Sequence, residues 1–409
     1  MKQLKQFFLQ FRYELSLFCA LASNFLLFFT KEQIMTDAIY PIHLVDTKFG
    51  FISRTFVGTI TGFLWEHPTK NQVAFFHSLI VLLTFASVAV FFGKCIRNAD
   101  EKLRTPLLLL CLFFTVSPYG FRTYINLFDL LDIYWVLCAA LCLLATDNKK
   151  TVFLIPLFIF LGEWVHFTFF LAFMPLIYIL CFNKCLKEKN RNYYILTGIM
   201  LIVSVSATLY FSFTSHYLKV SDFTDFADYI IEKAGDKITK FEVYCGEQFR
   251  SPDDFNYDFY IEKLGLPEWV KYETSAFKKG IYTYFFLAFI DGSLSKMIAD
   301  YILASPLIAF FIPIWHKACK VTADKKERFI YFLCLITPLV GVFSTIFSSD
   351  TSRWLSIMLI QNLFLLTLFI KEKSSPVADA FFDIYTKLEK HKTIILFVVL
   401  FWLSIVFVW

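Results

Sequence analysis

The sequence predicts an all-α protein, a polytopic bundle of transmembrane helices. Of the 409 residues 57% are hydrophobic, only 18% are charged, and 53 are Phe. Apolar runs of about 20 residues recur along the chain, which is the length that a helix needs to cross the hydrocarbon of a bilayer. The short alternating segments typical of a transmembrane barrel are absent from the sequence. The whole chain, 1–409, is therefore expected to form one integral membrane domain.

Most of the apolar stretches have the length of one helix, but two are irregular. The stretch 151–182 is too long for one helix and is interrupted at Glu163 and His166. It therefore predicts a hairpin or re-entrant pair. The stretch 281–316 is interrupted near Asp291, so its first half is expected at the membrane interface. The predicted spans are 14–30, 74–93, 105–118, 126–146, 151–182, 194–214, 281–316, 329–348, 354–370 and 393–409.

Basic residues predict the orientation, because Lys and Arg in short loops favour the cytoplasmic side. Their clusters all face the cytoplasm only if the stretch 151–182 enters the membrane and returns. This gives about 10–11 crossings of the membrane, with the N-terminus in the cytoplasm. The outer face then carries a first loop, 31–73, and a large loop, 215–280, expected to be partly helical. In the large loop thirteen Asp or Glu outnumber nine Lys or Arg.

Several chemistries have no support in the sequence. It contains no Walker, dinucleotide-binding, zincin or Gly-x-Ser-x-Gly pattern. Most of the ten Cys lie in apolar spans, which favours packing over a disulfide framework. We therefore expect no metal, no cofactor and no nucleic-acid partner.

Ionisable residues gather near the predicted outer ends of the helices. Such groups are costly in hydrocarbon, so they persist mainly where they form pairs or contact a substrate. We therefore predict a functional site at the outer face. Its candidate residues are Asp46, Arg54, Arg122, Asp129, Asp132, Glu163, His166, Asp350 and Arg353.

The pair Glu163 and His166 is the sharpest of these signals. The two residues are three apart, so they share one face if the segment is helical. A His beside a carboxylate can accept a proton and hold the resulting charge. The alternative is a His that only forms hydrogen bonds between helices.

The remaining candidates also have two interpretations each. A guanidinium suits bidentate contact with phosphate oxygens, but an Arg can also reach lipid headgroups from an interfacial loop. Asp129 and Asp132, with Arg122 one turn before them, predict a polar cavity or a structural ion pair at a helix start. Asp350 is placed to cap the next helix, and Asp46 is a weaker candidate for a catalytic base.

The pattern resembles membrane polymerases of polyprenyl-linked glycans. The shared features are about ten crossings, a large outer loop late in the chain, outward-facing arginines, and His166 at a mid-chain helix junction followed by Phe-rich sequence and Pro175. In these respects the chain resembles the Wzy-type O-antigen and capsule polymerases and, more distantly, the GT-C glycosyltransferases that use lipid-linked sugars. The resemblance implies metal-independent glycosyl transfer at the outer face of a bacterial cytoplasmic membrane.

The resemblance also implies substrates and roles. The substrate would be a lipid-linked oligosaccharide on undecaprenyl diphosphate, in contact with membrane lipid and with possible partners of a polysaccharide assembly complex. Preorganised cations would stabilise the charge that develops on the leaving diphosphate. The implied catalytic residues are His166, Glu163 and Asp46, and the implied substrate-binding residues are Arg54, Arg122, Asp129, Asp132, Asp350 and Arg353.

Two other classes of function stay open. A transporter or flippase for an anionic lipid-linked glycan would also use arginines in a cavity, but it should contain an internal repeat and broken helices at the membrane midplane. A non-catalytic membrane protein of an envelope complex would instead use the acidic loop 215–280 as a docking surface.

Overall fold

The computed structural model describes residues 2–29, 35–36, 39–51, 53–126, 130–148, 150–188, 191–214, 223–239, 243, 293–345 and 351–408. Within these ranges the protein consists of helices and connecting turns and contains no strand. The predicted all-α class is therefore confirmed. Five helices are long and apolar enough to span a membrane, namely Lys70–Asn98, Glu101–Ile125, Arg191–Phe211, Ser295–Val321 and Thr351–Lys371.

In the first half of the chain, long apolar helices alternate with short ones that are too short to cross a bilayer. Three 3₁₀ segments, Tyr40–Leu44, Thr47–Phe49 and Val152–Leu154, complete this half. The α-helices are α1 (Lys2–Gln10), α2 (Arg12–Phe29), α3 (Thr55–Leu64), α4 (Lys70–Asn98), α5 (Glu101–Val116), α6 (Phe121–Asn126), α7 (Asp132–Ala145), α8 (Ile155–Val165), α9 (Phe169–Ala172) and α10 (Met174–Glu188).

The helices of the second half are mostly longer. One of them, the first after the described part of the large loop, contains two internal prolines and still continues. They are α11 (Arg191–Thr214), α12 (Phe223–Lys233), α13 (Ser293–Val321), α14 (Lys325–Thr345), α15 (Thr351–Lys371), α16 (Ser375–Lys390) and α17 (Lys392–Val408).

Helix α15 lies at the centre of the bundle. Every residue from Trp354 to Ile370 is buried, and the helix packs against α4, α13 and α14. Its Asn362 is held within the bundle, since the indole N–H of Trp315 donates to Asn362 Oδ1 at 2.9 Å. Because α15 is enclosed by other helices, it fixes the positions of the elements around it.

The irregular stretch 151–182 contains α8 and most of α10, which run in opposite directions, with the short α9 between them. Helix α8 ends at Val165 and His166 adopts an extended conformation, so the break predicted at this place is present. Asp147, just before α8, contacts Lys371 at the end of α15. Asn183, near the end of α10, donates to Glu372 at 2.8 Å. The chain therefore returns to the end of the bundle that it left.

Other boundaries differ from the predicted spans. The helix in the stretch 126–146 is shorter than the predicted span, because α7 begins only at Asp132 and has 14 residues. Of the stretch 281–316, the part before Ser293 lies outside the described residues, and α13 then continues without a break to Val321. Helix α16, an amphipathic helix against α13 and α15, was not predicted.

The first predicted outer loop, 31–73, is a folded unit. It contains α3, which packs against the 3₁₀ segment Tyr40–Leu44 and against α8. Of the large loop, residues 223–239 and Val243 are described, and α12 makes part of it helical. This helix also contacts the 3₁₀ segment, so the two predicted loops pack on each other.

Gly58 permits this packing. A Cβ at Gly58 would lie 2.0 Å from the carbonyl oxygen of Val45. The amine of Lys233, on α12, also donates to the Gly58 carbonyl at 3.2 Å. The backbone of α3 at Gly58 meets the backbone at Val45, and backbone atoms cannot move aside for a Cβ as the end of a flexible side chain can.

We expect Gly58→Ala to lower the free energy of unfolding by about 1–3 kcal/mol, as overpacking of a close contact does. Thermal unfolding of the purified protein in detergent measures this. Gly198→Ala is the matched control, because a Cβ at Gly198 meets nothing within 4 Å and Ala favours the helix. Equal stability of the two variants would mean that α3 does not depend on this approach.

Candidate functional site

Four of the predicted site residues come together at one end of the bundle. Arg54 precedes α3, Asp132 begins α7, His166 follows α8, and Arg353 lies in the first turn of α15. His166 and Asp132 are buried, whereas Arg54 and Arg353 are partly exposed. The two arginines therefore form the accessible side of the site.

A set of hydrogen bonds fastens Arg54 to the end of α8. Its backbone N–H donates to the carbonyl of Trp164 at 2.9 Å, and the Trp164 indole donates to Thr55 Oγ1 at 3.0 Å. The backbone N–H of Phe167 donates to Ser53 Oγ at 3.1 Å. Arg54 itself has φ 74, a left-handed conformation that is costly for a residue with a Cβ. Such strain persists only where surrounding contacts enforce it.

The imidazole of His166 is held on both ring nitrogens. The guanidinium of Arg54 contacts Nε2, and Thr168 Oγ1 lies 2.7 Å from Nδ1. An Arg can only donate, so Nε2 accepts a hydrogen bond from Arg54. The Thr168 backbone N–H donates to Nδ1 at 3.1 Å, so the backbone and the hydroxyl of Thr168 together hold this side of the ring. A proton on Nε2 would face a cation.

Arg353 is held by Asp132 and by an aromatic ring. Its Nε lies 2.6 Å from Asp132 Oδ2, and its guanidinium carbon lies 5.5 Å from the centre of the Trp135 ring. The Trp135 ring stands edge-on to that of His166 at 5.4 Å. Electrostatic interaction links Arg353 to Arg54 as well. The Trp135 ring thus lies between the Arg54–His166 pair and the Arg353–Asp132 pair.

Glu163 does not orient His166. Its Oε2 accepts a hydrogen bond from Thr208 of α11 at 3.0 Å. The spacing of three predicted a shared face, but α8 ends at Val165 and the extended backbone at His166 turns the imidazole to Arg54. Glu163 therefore fastens α8 to α11, and Thr168 takes the orienting position beside the ring.

Asp46 connects the two outer segments. Its Oδ2 accepts from Lys233 Nζ and from Tyr229 Oη, both at 2.6 Å, and its Oδ1 caps the 3₁₀ segment through the backbone N–H of Lys48 at 2.9 Å. Both oxygens are thus occupied by groups of the protein. In place of the predicted catalytic base, the structure gives Asp46 the role of an anchor for α12.

The other predicted residues are not part of this constellation as described. Arg122 lies in α6 and is partly exposed. Asp129 and Asp350 lie outside the described residues. Their proposed contact with substrate stays a prediction.

Sequence reasoning missed three side chains that shape the site. Trp135 and Thr168 contact the arginine and histidine as described above, and the buried Tyr124 interacts electrostatically with Asp132 and Arg353. Trp135 follows Asp132 by three positions on α7, a spacing that could have identified it. Tyr124 and Thr168 carried no comparable signal.

The geometry fits an anion. Two guanidinium groups and one carboxylate leave one net positive charge beside a neutral His166, and Arg presents the planar donors that match phosphate oxygens. Among the described residues, no group of three or more His, Cys, Asp or Glu is placed to hold a metal ion. Comparison with protein-family models, curated proteins and solved structures gives no match for this chain.

The anchor at Asp46 predicts a pH dependence. Burial alone would raise the pKa of Asp46, but hydrogen bonds from Lys233 and Tyr229 outweigh it and hold the pKa below its usual range. Because the folded pKa is lower than the unfolded value of about 3.9, the contribution to stability is present above about pH 4. It is lost as the pH falls through the lower folded value.

We therefore expect α12 to detach on acidification in the wild type and to be loose already at neutral pH in Asp46→Asn. Hydrogen exchange of residues 223–233, corrected for the intrinsic pH dependence of exchange, measures this. Glu232→Gln, which changes an exposed acid on the same helix, is the control. Exchange in Asp46→Asn that equals the wild type at neutral pH would contradict the anchor.

Proposed function

We propose that the protein is a glycosyltransferase that acts on glycans linked to polyprenyl diphosphate, in the assembly of a surface polysaccharide. The observation that carries the proposal is the pair of accessible arginines, Arg54 and Arg353, on either side of His166. The apolar helices supply the second support, because a site at the end of a membrane-spanning bundle is reached most directly by a substrate whose anchor lies in the bilayer.

The arginines hold the diphosphate in this proposal. Asp132 pairs with Arg353 and also attracts Arg54, which contacts a neutral imidazole, so this one carboxylate does not balance both guanidinium groups. A diphosphate therefore restores the charge balance at Arg54. Charge-assisted bonds from guanidinium to phosphate are about twice as strong as neutral ones, so the diphosphate oxygens outcompete the His166 ring for Arg54.

His166 becomes a base only after this exchange. Once Arg54 turns to the diphosphate, the lone pair of Nε2 is free to accept the proton of an acceptor hydroxyl. The acceptor oxygen then forms a bond to the anomeric carbon while the bond from that carbon to the diphosphate oxygen breaks. The leaving diphosphate stays on Arg54 and Arg353, and Thr168 holds the imidazole in position through Nδ1.

The arginines are tested by a change that keeps the charge. Arg54→Lys and Arg353→Lys should each weaken the binding of undecaprenyl diphosphate about tenfold or more, because Lys is a point donor without the fork of Arg. Ligand-dependent thermal unfolding in detergent measures the affinity.

Arg104→Lys is the matched control, because Arg104 donates to the Ala99 carbonyl at 3.1 Å, outside the site. Full affinity in both site variants would point to contact with lipid headgroups. Loss of affinity in the Arg104 variant as well would show that the assay responds to Arg→Lys changes anywhere in the protein and not to the site.

His166→Gln separates catalysis from binding. Gln keeps a hydrogen-bonding side chain but accepts no proton at neutral pH, so binding of undecaprenyl diphosphate should change little. Polymer formation in cells of the native organism should fall roughly 10²- to 10⁴-fold, and lipid-linked single repeats should accumulate in lipid extracts.

Two other results have distinct meanings. Polymer of normal length and amount from His166→Gln would leave His166 as a positioning residue for Arg54. Unchanged lipid-linked glycans in a strain that lacks the gene would remove the glycosyltransferase proposal as a whole, and transport or an assembly role would then take its place.

A further inference from the structure

A second polar cavity lies at the opposite end of the same helices. Helices α7 and α15 begin at the Arg54 site, and their C-terminal ends border this cavity. The 18 residues of α15 from Arg353 to Lys371 correspond to about 27 Å of helix. Its volume is ≈ 520 Å³. The charged lining residues are Arg97, Asp147, Lys184, Lys371, Glu372 and Lys373.

Cations outnumber acids around this cavity. Counting the described residues that line it and the ion-pair partners of those residues, there are six cations and three acids. Glu14 pairs with Arg97. Asp147 pairs with Lys371 and, at 3.7 Å, with Lys94. Glu372 pairs with Lys184 and with Lys187, each at 3.1 Å.

The acids do not lose their charge to burial. Burial alone would raise the pKa of Glu372, but Lys184 and Lys187 outweigh it and lower the pKa below its usual range. Asn183 adds a hydrogen bond at 2.8 Å. The acids thus serve to assemble lysines that would otherwise repel one another, and the assembly keeps a positive excess.

Lys373 adds to this excess from an unfavourable backbone conformation. It ends α15 with φ 58, and the backbone N–H of Ser374 donates to the Phe369 carbonyl at 3.0 Å. This is a helix C-terminal turn in which Gly is the usual residue, because Gly has no Cβ to clash. Here a Lys occupies the position, and its side chain lines the cavity.

An apolar crevice opens close to the cavity. It has a volume of ≈ 300 Å³, lies between α10, α11 and α14, and is lined by residues that include Phe182, Thr197 and Ile336. Thr197 is one helical turn from Tyr193, which lines the cavity, and its hydroxyl donates to the Tyr193 carbonyl at 2.7 Å. The crevice and the cavity are therefore about 6 Å apart along α11.

We propose that the cavity binds the phosphate headgroup of an anionic phospholipid, one acyl chain of which lies in the crevice. The positive excess selects a phosphate without a compensating cation, and the apolar crevice next to it selects a ligand with a hydrocarbon chain. The lipid joins α10, α11 and α15 at this end of the bundle. It is a second site, independent of the one at Arg54.

Thermal unfolding of the purified protein in a neutral detergent tests the binding, with phosphatidylglycerol, phosphatidylcholine and inorganic phosphate as probes. Phosphatidylglycerol should raise the unfolding temperature in a saturable way. Phosphatidylcholine and inorganic phosphate should have much smaller effects, the first because its choline cancels the charge and the second because it lacks the chain.

Two variants separate the headgroup from the chain. Lys373→Gly should make the lipid-free protein more stable, because it removes the strained conformation. It should also weaken the binding of phosphatidylglycerol about fivefold, because one positive charge is lost. Ile336→Trp should fill the crevice and weaken the binding of phosphatidylglycerol, while the effect of inorganic phosphate on the unfolding temperature should stay unchanged. Lys390→Gln, at the exposed end of α16, is the charge-matched control and should bind like the wild type.

Three results would overturn the proposal. The first is equal stabilisation by phosphatidylglycerol and phosphatidylcholine. The second is a Lys373→Gly variant that binds phosphatidylglycerol like Lys390→Gln. The third is a full effect of inorganic phosphate with no effect of Ile336→Trp, which would make free phosphate the ligand. None of these results bears on the Arg54 site, because undecaprenyl diphosphate is measured separately there.

Discussion

The burial of α15 on all sides is the constraint on which the rest of the structure depends. A segment with no face toward lipid or water must satisfy its polar groups inside the bundle, and Asn362 does so through Trp315. Charge is then confined to the two ends of the helix, at Arg353 and Lys371. Both polar sites of the described protein are built around these ends, and the apolar length of α15 keeps them apart.

The sequence predicted the long apolar helices most reliably, because a continuous run of apolar residues is enough to identify them. Helices α4, α11 and α15 were expected because each provides enough apolar residues to span hydrocarbon. The break at His166 was also expected, because polar residues interrupt an apolar run there. Helix α7 was predicted too long, since composition alone cannot separate the apolar residues before Asp132 from those of the helix itself.

The contacts within the site could not be derived from spacing. Arg54 and His166 are separated by 112 positions, and they meet only because Arg54 adopts a left-handed conformation that the end of α8 enforces. Asp46 looked catalytic because it lies near Arg54 in sequence, but its partner Lys233 is 187 positions away. The pairing of Glu163 with His166 assumed a continuous helix, and the helix ends between them.

The contact between Arg54 and His166 has a consequence for how the site responds to ligands. Two arginines share the single carboxylate of Asp132, so Arg54 is available to an anion. A cation whose charge is only partly balanced is costly, and the strained backbone of Arg54 adds to the cost. An anion that binds removes the cost of the unbalanced charge and leaves the cost of the strained backbone. The site therefore favours ligands that carry negative charge over neutral ligands.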